Sequence, residues 1–295
     1  MITPNRWFTA DAQDNSFPKL REYVATHNHF SKIITHNGKK IFPNTELGMV
    51  SYFLWDSSHT GDVIFSEFNT ENVNSISRPL FENDLDIILP LNNLSAIIQK
   101  ITKDNFVSLM TITTGRDAFG IVGKNFKTIS QSMPFDNSVA VQGAYEEIRY
   151  INRDKIQKGK SFLDSYNVIT SKGNGGAGLL TDGKPVNIIG KSYVATPGMA
   201  CTDSMIPFGI FQTKLEAVNL QKYMSSKFLR FLVGVLKVSQ NLYQNVYRFV
   251  PLQDFTEGSD IDWRKSVEEI DAQLYAKYGF SDEEIVFIES MIKPM

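Results

Sequence analysis

Cysteine and histidine are scarce in this sequence, which has one cysteine, Cys201, and four histidines that all fall before residue 60. A single thiol excludes an internal disulfide framework and a zinc site built from cysteines, and it is typical of a reducing compartment. No apolar run approaches the roughly 18 residues that cross a bilayer. We therefore expect a cytoplasmic protein without membrane contact, in which any histidine-rich chemistry lies in the first 60 residues.

Acidic residues are absent from 217–253, which has five lysines and arginines, whereas 254–295 has four bases and 11 acids. The net charge of −2 hides this asymmetry. A basic block followed by an acidic tail suggests contact with a polyanion. The alternative is a surface on which local charges average out in three dimensions, and the charge pattern alone does not separate the two.

With 295 residues, 42% hydrophobic and 21% charged, the chain has a globular composition and room for one large domain or two. The first 67 residues predict a strand–helix–strand–strand succession, which is typical of the last part of an α/β sheet. The segments are MITPNRWF, KLREYVATHN, SKIITHNG, MVSYFLWD and HTGDVIFSEFN. The succession is too short for a complete sheet, so we expect 1–67 to form an incomplete α/β domain.

A second region, 68–258, is expected to contain a β body and a long helix. A polar link is predicted at 69–78, followed by a helical stretch, NDLDIILPLNNLSAIIQKI. Short strands separated by Gly and Asn turns are predicted from 107 to 196, and a helix with one apolar face from 214 to 239. A final strand, NVYRFVPLQDF, precedes an acidic helical tail at 259–295. The predicted fold class is therefore mixed, α+β or α/β.

The stretch KGNGGAG at 172–178, which we call the glycine loop, raises the question of phosphate binding. A P-loop needs its lysine after the glycines and a helix behind it, and a dinucleotide fingerprint also needs that helix. Lys172 precedes the glycines, and LLTDGKPVNII predicts strands. Nucleotide binding is therefore not expected. Two alternatives stay open: a hairpin without function, or bare backbone that approaches a macromolecule while Lys172 supplies charge.

Three other stretches have weaker chemical signals. THNHF places two histidines at a helix end, whereas a His-Asn-His nuclease distributes these residues over a hairpin and a helix. Asp164, Asp182 and Lys184 loosely imitate the acids and lysine of a magnesium-dependent restriction nuclease, although Asp-Gly is first a turn signal. KVSQNLYQNVYRF contains amide side chains that can bind adenine edges and lysine and arginine side chains that can bind phosphates. The alternative is a helix–strand connection whose apolar residues enter the core.

Taken together, several segments resemble the adenine-N6 DNA methyltransferases of type II restriction–modification systems, including those fused to a nuclease. They are MITPNRWF, LGMVSYFLWD, RDAFGIVGKNF, YNVITSKGNGGAG, YVATPGMACTDSMIPFG, KFLRFLVGVLKVSQNLYQNVYRFVPLQDF and EEIVFIESMIKPM, and they occur in the family's order. The resemblance implies that 1–67 is the C-terminal part of a Rossmann-like methyltransferase domain. It also implies that 68–258 is a DNA target recognition domain, followed by the helical tail.

The same resemblance reveals a deficit. The family binds S-adenosylmethionine on a glycine-rich first turn and holds the flipped adenine with an Asn/Asp-Pro-Pro-Tyr/Phe motif. This sequence has no Pro-Pro dipeptide. The resemblance therefore implies that this chain has no catalytic, cofactor-binding or metal-binding residues. S-adenosylmethionine would be a cofactor of the complete enzyme only.

The sequence thus predicts a fragment that binds double-stranded DNA sequence-specifically and does not transfer methyl groups alone. The candidate DNA contacts are residues with basic or amide side chains: Lys172, Asn174, Lys191, Lys222, Lys227, Arg230, Lys237, Gln240, Asn241, Gln244 and Arg248. The alternatives are the magnesium-dependent nuclease, a non-catalytic assembly subunit that docks on a methyltransferase half or restriction subunit, and a truncated, inactive product.

Overall fold

A computed structural model describes residues 2–12, 14–45, 48–68, 73–82, 85–103, 105–176 and 185–295. Helices and strands alternate irregularly along the chain and form one five-stranded sheet, two three-stranded sheets and a helical C-terminal layer. The predicted mixed α/β class is therefore confirmed. Within the described segments, every helix is too short or too polar to span a bilayer.

The N-terminal sheet contains five strands in the order β1-β3-β2-β4-β5. The strands are β1 (Ile2–Pro4), β2 (Phe30–Asn37), β3 (Met49–Trp55), β4 (Val63–Phe68) and β5 (Val73–Arg78). Strands β2 and β4 are parallel, and the other neighbours are antiparallel. Three helices accompany them: α1 (Arg6–Thr9), α2 (Ser16–Thr26) and α3 (Gly38–Ile41). The polar link predicted at 69–78 is therefore wrong for Val73–Arg78, which pairs with β4 along its whole length.

One face of this sheet is buried under α1 and α2. Ile33 and Phe65 are inaccessible to solvent and pack in a cluster with Trp7, Phe8 and Val24. Burial of these side chains supplies the hydrophobic stabilisation of this part of the chain. Leu80 and Ile88 also join the cluster, so the N-terminal core includes residues beyond the sheet.

The opposite face of the sheet carries five exposed apolar side chains. Because side chains alternate along a strand, the register places Leu54 of β3, Ile64 of β4 and Val73 of β5 on this second face, together with Ile2 and Phe68. All five side chains are exposed to solvent. We call these residues the apolar face.

The β body follows α4 (Leu94–Ile101) and contains two sheets, ordered β10-β6-β7 and β11-β8-β9. Its strands are β6 (Ser138–Gln142), β7 (Ile148–Asn152), β8 (Tyr166–Ser171), β9 (Ser192–Ala195), β10 (Met199–Cys201) and β11 (Met205–Phe211). Two short helices, α5 (Phe126–Ile129) and α6 (Lys160–Leu163), lie between strands. The strand predicted at LMTITTG is instead a 3-10 turn at Leu109–Ile112, and FGIVG is irregular.

The helix predicted over 214–239 is broken into α7 (Lys214–Ser225) and α8 (Lys227–Leu236). Ser226 is extended, and its Oγ accepts a hydrogen bond of 3.1 Å from Leu229 N, so it ends one helix and caps the next. Every residue of α8 after Lys227 is buried. The strand predicted at NVYRFVPLQDF is also wrong, because Gln244–Tyr247 form a 3-10 turn and Pro251 makes one isolated bridge to Ser108.

The acidic tail is helical, as predicted, with α9 (Val267–Lys277) and α10 (Asp282–Met291). Ser266 with Glu269, and Ser281 with Glu284, form capping boxes that start the two helices. The tail packs on α8, where the Phe228 ring stacks on Tyr278 with 5.2 Å between centroids. The tail therefore covers one side of α8.

Candidate nucleic-acid interface

A surface cleft of about 410 Å³ lies where five segments of the β body and its following helix meet. The segments are the tip of the β6–β7 hairpin, the end of β8 with the glycine loop, the start of β9, the start of β11 and the chain after α8. Its lining includes five of the predicted DNA contacts: Lys172, Asn174, Lys191, Gln240 and Asn241. These residues are far apart in sequence, so the fold brings them together.

The first part of the glycine loop, up to Gly176, is fixed by backbone pairing with 240–242. Asn174 N donates to Gln240 O at 2.9 Å, and Leu242 N donates to Lys172 O at 2.7 Å. Beneath the loop, the Lys237 ammonium donates to the carbonyls of Asn174 and Gly176, each at 2.5 Å. Burial lowers the pKa of Lys237 to about 8. The loop backbone is therefore anchored on its inner side.

Lys172 supplies positive charge to the cleft. Its side chain is 28% exposed, and its ammonium lies 3.4 Å from Asp203 Oδ2. The other oxygen of Asp203 accepts a hydrogen bond of 2.7 Å from Gly123 N. Because Asp203 is shared with the backbone and the ammonium contact is long, Lys172 keeps capacity to bind a further anion.

Lys191, Glu146 and Tyr193 form a second polar group at the cleft. Glu146 Oε1 accepts hydrogen bonds from Lys191 Nζ at 3.1 Å and from the Tyr193 hydroxyl at 2.9 Å. These two bonds lower the pKa of Glu146. The Lys191 side chain is 70% exposed, and its ammonium lies 5.3 Å from the centroid of the Tyr193 ring. An ion pair this exposed contributes little to stability and exchanges readily with other anions.

The hairpin tip beside this group has an unusual backbone. Tyr145 has φ 54° and ψ 38°, and the next residue, Glu146, has φ 63°. Glu147 N donates to Ala144 O at 3.2 Å, which closes a turn with two left-handed residues at its centre. The Tyr145 side chain is fully exposed, at 102%.

The remaining predicted contacts have partners inside the protein. Arg230 is 1% exposed and donates to Lys293 O at 2.7 Å, and Lys237, 2% exposed, lies beneath the glycine loop. Lys222 donates to Trp263 O at 2.7 Å, and Lys227 pairs with Glu289. The tail thus contacts Lys222, Lys227 and Arg230, and the glycine loop contacts Lys237. The four residues stay predicted DNA contacts, although Arg230 and Lys237 are shielded from solvent in the free chain.

Gln244 and Arg248 also lie away from the cleft lining. Gln244 Nε2 donates to Met110 O at 2.9 Å and to Thr113 O at 3.2 Å, which ties the 3-10 turn to the start of the β body. Arg248 pairs with Asp86 at 2.6 Å and stays partly exposed. The two residues stay predicted DNA contacts without a place in the cleft.

The cleft residues that the sequence prediction missed include Tyr145, Glu146 and Tyr193. The sequence contains a signal for Tyr145 and Glu146, because they lie where two predicted strands, SVAVQGAY and EIRYIN, must be joined by a turn. Tight hairpin turns favour Asn-Gly or Asp-Gly at their centre, whereas this link contains Tyr-Glu. Turn residues that depart from this preference mark a site at which local backbone preference is overridden.

The described residues form no metal site of the kind that the magnesium-dependent nuclease alternative requires. Asp164 ends α6 and accepts a hydrogen bond from Arg153, while Asp182 and Lys184 lie outside the described residues. Across the described segments, no group of three or more His, Cys, Asp or Glu side chains is placed to bind a metal. In THNHF, His27 stacks on Tyr23 with 4.5 Å between centroids, as expected for polar residues at a helix end.

Similarity to known proteins is limited. No protein-family model matches the chain, and no curated protein matches it at a significant level. Among solved structures, it is similar to the type IIG restriction endonuclease BpuSI, with 12% identity and a TM-score of 0.36 over 98% of this chain and 46% of that one. It is also similar to the type IIL restriction-modification enzyme MmeI in complex with DNA, with 8% identity and a TM-score of 0.49 over 98% of this chain and 48% of that one.

A third similar structure is the ATP-dependent type ISP restriction-modification enzyme LlaBIII bound to DNA, with 10% identity and a TM-score of 0.32. That match covers 70% of this chain and 19% of the other. The chain spans less than half the length of each of the three structures. With every TM-score below 0.5, the likeness assigns neither a fold family nor a function to this chain.

Proposed function

We propose that this chain is the DNA target recognition part of a restriction–modification adenine-N6 DNA methyltransferase, and that it binds duplex DNA in the cleft. One observation carries the proposal: five residues predicted as DNA contacts from sequence alone line the same cleft. They come from three separated stretches, 172–174, 191 and 240–241, so their convergence is a property of the fold.

The cleft has the chemistry that a duplex requires. Lys172 and Lys191 are the cations that would bind phosphates and set the register of the protein on DNA. The side chains of Gln240 and Asn241 are amides, which pair with adenine edges in the major groove. Asn174 belongs to the anchored glycine loop, where its side chain donates to Asn187 O at 2.9 Å. The glycines Gly175 and Gly176 are exposed, so the backbone there is open to close approach by a phosphate.

Methyl transfer is not part of the proposed role of this chain alone. The resemblance implies an S-adenosylmethionine site and an Asn-Pro-Pro-Tyr motif, and the sequence has no Pro-Pro dipeptide. Both would be supplied by another part of the enzyme, in the same chain or a separate one. The role of the described cleft is then to position the duplex.

Replacing both cleft lysines, Lys172→Ala with Lys191→Ala, is expected to weaken duplex binding about tenfold at low salt, because two phosphate contacts are lost. The slope of log Kd against log salt should fall by about 2. Fluorescence anisotropy of a labelled duplex library between low and moderate salt measures both values.

The matched control is Lys19→Ala with Lys265→Ala, which removes two exposed lysines remote from the cleft lining. This control variant should bind as the unmodified chain does. An unchanged salt slope in the cleft variant would contradict the proposal, and so would duplex binding by the unmodified chain that never rises above background.

A second candidate function, assembly with a catalytic partner, is favoured by the apolar face. Exposed apolar side chains grouped on one face of a sheet are typical of an interface. Leu54 of β3 and Ile64 of β4 both pair with Lys32 of β2 and lie on either side of it on this face. The partner would be a chain or segment that carries the methyl-donor site and covers this face of the sheet.

Leu54→Lys with Ile64→Lys is expected to lower self-association of the isolated chain at least tenfold, since charges on this face oppose its burial. Light scattering over a concentration series measures the association constant. Ile210→Lys, at an exposed position on β11, is the control and should leave association unchanged. A double variant that self-associates as well as the unmodified chain would exclude the apolar face as the surface through which the isolated chain associates.

A further inference from the structure

The tip of the β6–β7 hairpin has a strained backbone and a fully exposed aromatic side chain, and neither feature stabilises the free protein. Two successive residues that are not glycine, Tyr145 and Glu146, adopt left-handed backbone conformations. Each such residue costs free energy because its Cβ approaches the neighbouring carbonyl. Strain of this kind persists where the surroundings impose it, and it concentrates at functional sites.

The surroundings impose this turn through several contacts. Gly143 N donates to Glu147 O at 2.7 Å, and a Cβ on Gly143 would lie 2.9 Å from the Phe126 ring. The Tyr193 hydroxyl donates to the Glu146 carboxylate at 2.9 Å, a contact that does not depend on Lys191. The base of the tip is thus fixed on both sides, and Tyr145 is held in one backbone conformation.

Tyr145 itself contributes nothing to packing. Its side chain is fully exposed, and none of the ring–ring or cation–ring contacts of the described residues includes it. A large aromatic side chain that points into solvent from a strained, anchored turn stabilises nothing in the isolated chain. Its benefit therefore lies in a contact with a ligand.

The position of Tyr145 indicates the class of ligand. The residue lines the same cleft as Lys172 and Lys191, which are the cations of that cleft. Exposed aromatic side chains next to basic residues form the stacking platforms of nucleic-acid-binding proteins, because every base presents a π-face. Rigid aromatic or apolar side chains can also insert between base steps as wedges.

We infer that Tyr145 stacks on a nucleobase of the bound nucleic acid, while Lys172 and Lys191 bind the phosphates beside it. This inference rests on the proposed DNA-binding function of the cleft. The anchored turn presents the ring before binding, so little conformational entropy is lost when the complex forms. Tyr145 is then a positioning residue that fixes one base step against the cleft.

Tyr145→Ala is expected to weaken binding of a labelled duplex about tenfold, the loss of one stacked base. Tyr145→Phe, which keeps the ring, should bind within about twofold of the unmodified chain. Because no ionic contact is removed, the salt slope of Tyr145→Ala should not change. The thermal midpoint should also stay unchanged, since the side chain buries no area in the free protein.

Two further variants separate stacking from an indirect effect. Tyr145→Trp places a fluorophore at the tip, and stacking on a base should quench its emission when oligonucleotide is added. The unmodified chain, which has three tryptophans elsewhere, gives the background. Tyr23→Ala, at an exposed tyrosine on α2, is the matched control and should bind duplex normally.

The outcomes distinguish this inference from the proposed function when each variant is tested on a duplex and on a single strand. If the lysine variant weakens duplex binding but Tyr145→Ala does not, Tyr145 is not a stacking residue and the cleft still binds DNA. If only the single strand binds, and its binding depends on Tyr145, stacking holds and duplex recognition fails. If the chain binds neither the duplex nor the single strand, the proposed function and the stacking role of Tyr145 are both wrong. If Tyr145→Ala and Tyr145→Phe lose the same affinity, the stacking role alone is wrong.

Discussion

Replacing Arg230 with alanine is expected to lower the free energy of unfolding by about 3–5 kcal/mol, because it removes one member of a buried charged group. Arg230 is 1% exposed, and Nη1 donates to Lys293 O at 2.7 Å while Nε donates to Ser226 O at 3.1 Å. Asp271, also buried, attracts its guanidinium electrostatically. Without the Arg230 side chain, the Lys293 carbonyl loses its donor, the Ser226 carbonyl keeps only the backbone N–H of residue 230, and the Asp271 carboxylate loses a nearby positive charge.

The effect should spread to the end of the chain, since Arg230 fixes the backbone after α10. Lys293 N donates to Val186 O at 3.0 Å, and Val186 N donates to Met291 O at 2.9 Å. Removing the Arg230 contact with Lys293 is expected to expose this segment to proteolysis before global unfolding. Urea denaturation measures the stability loss, and limited proteolysis with mass spectrometry locates the loosened segment.

Lys214→Ala is the matched control, since it removes an exposed base from the first turn of α7 and should change stability by less than about 0.5 kcal/mol. The Arg230→Ala variant also separates two roles for this residue. A stably folded Arg230→Ala protein with a lower salt slope in DNA binding would restore Arg230 as a phosphate contact. Unchanged stability would contradict the role of Arg230 in fixing the C-terminal segment.

The N-terminal sheet was largely predictable, because β2, β3 and β4 are apolar runs of strand length with clear turns between them. Strand β5 was missed since VNSISR has only two apolar residues and occurs in a polar stretch. As an edge strand it pairs on one side only, with β4, and needs no apolar face of its own. Such a strand forms because a neighbouring strand is available to pair with it, and the residues of the strand itself do not reveal that neighbour.

The helix at 214–239 shows a second limit. The predicted apolar face is present in both α7 and α8, where Leu220, Met224, Phe228 and Phe231 are buried. The break at Ser226 has a local signal, a serine able to cap a helix, but a serine inside a helix is equally compatible with an unbroken one. Lys222, Lys227 and Arg230 of this stretch were predicted as DNA contacts because sequence alone does not show that the tail packs against them.

The candidate site could be predicted in its charges and amides but not in its most exposed residue. Lys172, Lys191 and Gln240 have side chains whose chemistry suggests DNA contact wherever they are found. Tyr145 was included in a predicted strand, SVAVQGAY, where an aromatic residue is expected to pack. Its full exposure and left-handed backbone appear only once the hairpin is closed.

Lys237 connects stability to the cleft, and Lys237→Met is expected to affect both. Methionine keeps the apolar stem but removes both donors to the glycine loop, so the carbonyls of Asn174 and Gly176 lose their partner. We expect a loss of about 1–3 kcal/mol in the free energy of unfolding at pH 7. Duplex affinity should fall several-fold because the loop backbone at the cleft is no longer anchored.

The pH dependence of this loss follows from the lowered pKa of Lys237, which is about 8 compared with a usual 10.5. Between these pH values the unfolded chain binds more protons than the folded protein, so the contribution of Lys237 to stability increases as pH rises. The neutral amine keeps two donors for the two carbonyls and no longer requires burial of a charge. Well below pH 8 both states are protonated, and the contribution is constant.

Urea denaturation of both proteins from pH 7 to pH 10 tests this, because the difference between them cancels the titration of all other groups. The destabilisation caused by Lys237→Met should be constant up to about pH 8 and should grow above it. Lys214→Met, at an exposed position of α7, should show a small difference that does not vary with pH. A destabilisation by Lys237→Met that shrinks as pH rises would mean that the ammonium, and not the neutral amine, is the form that the folded loop prefers.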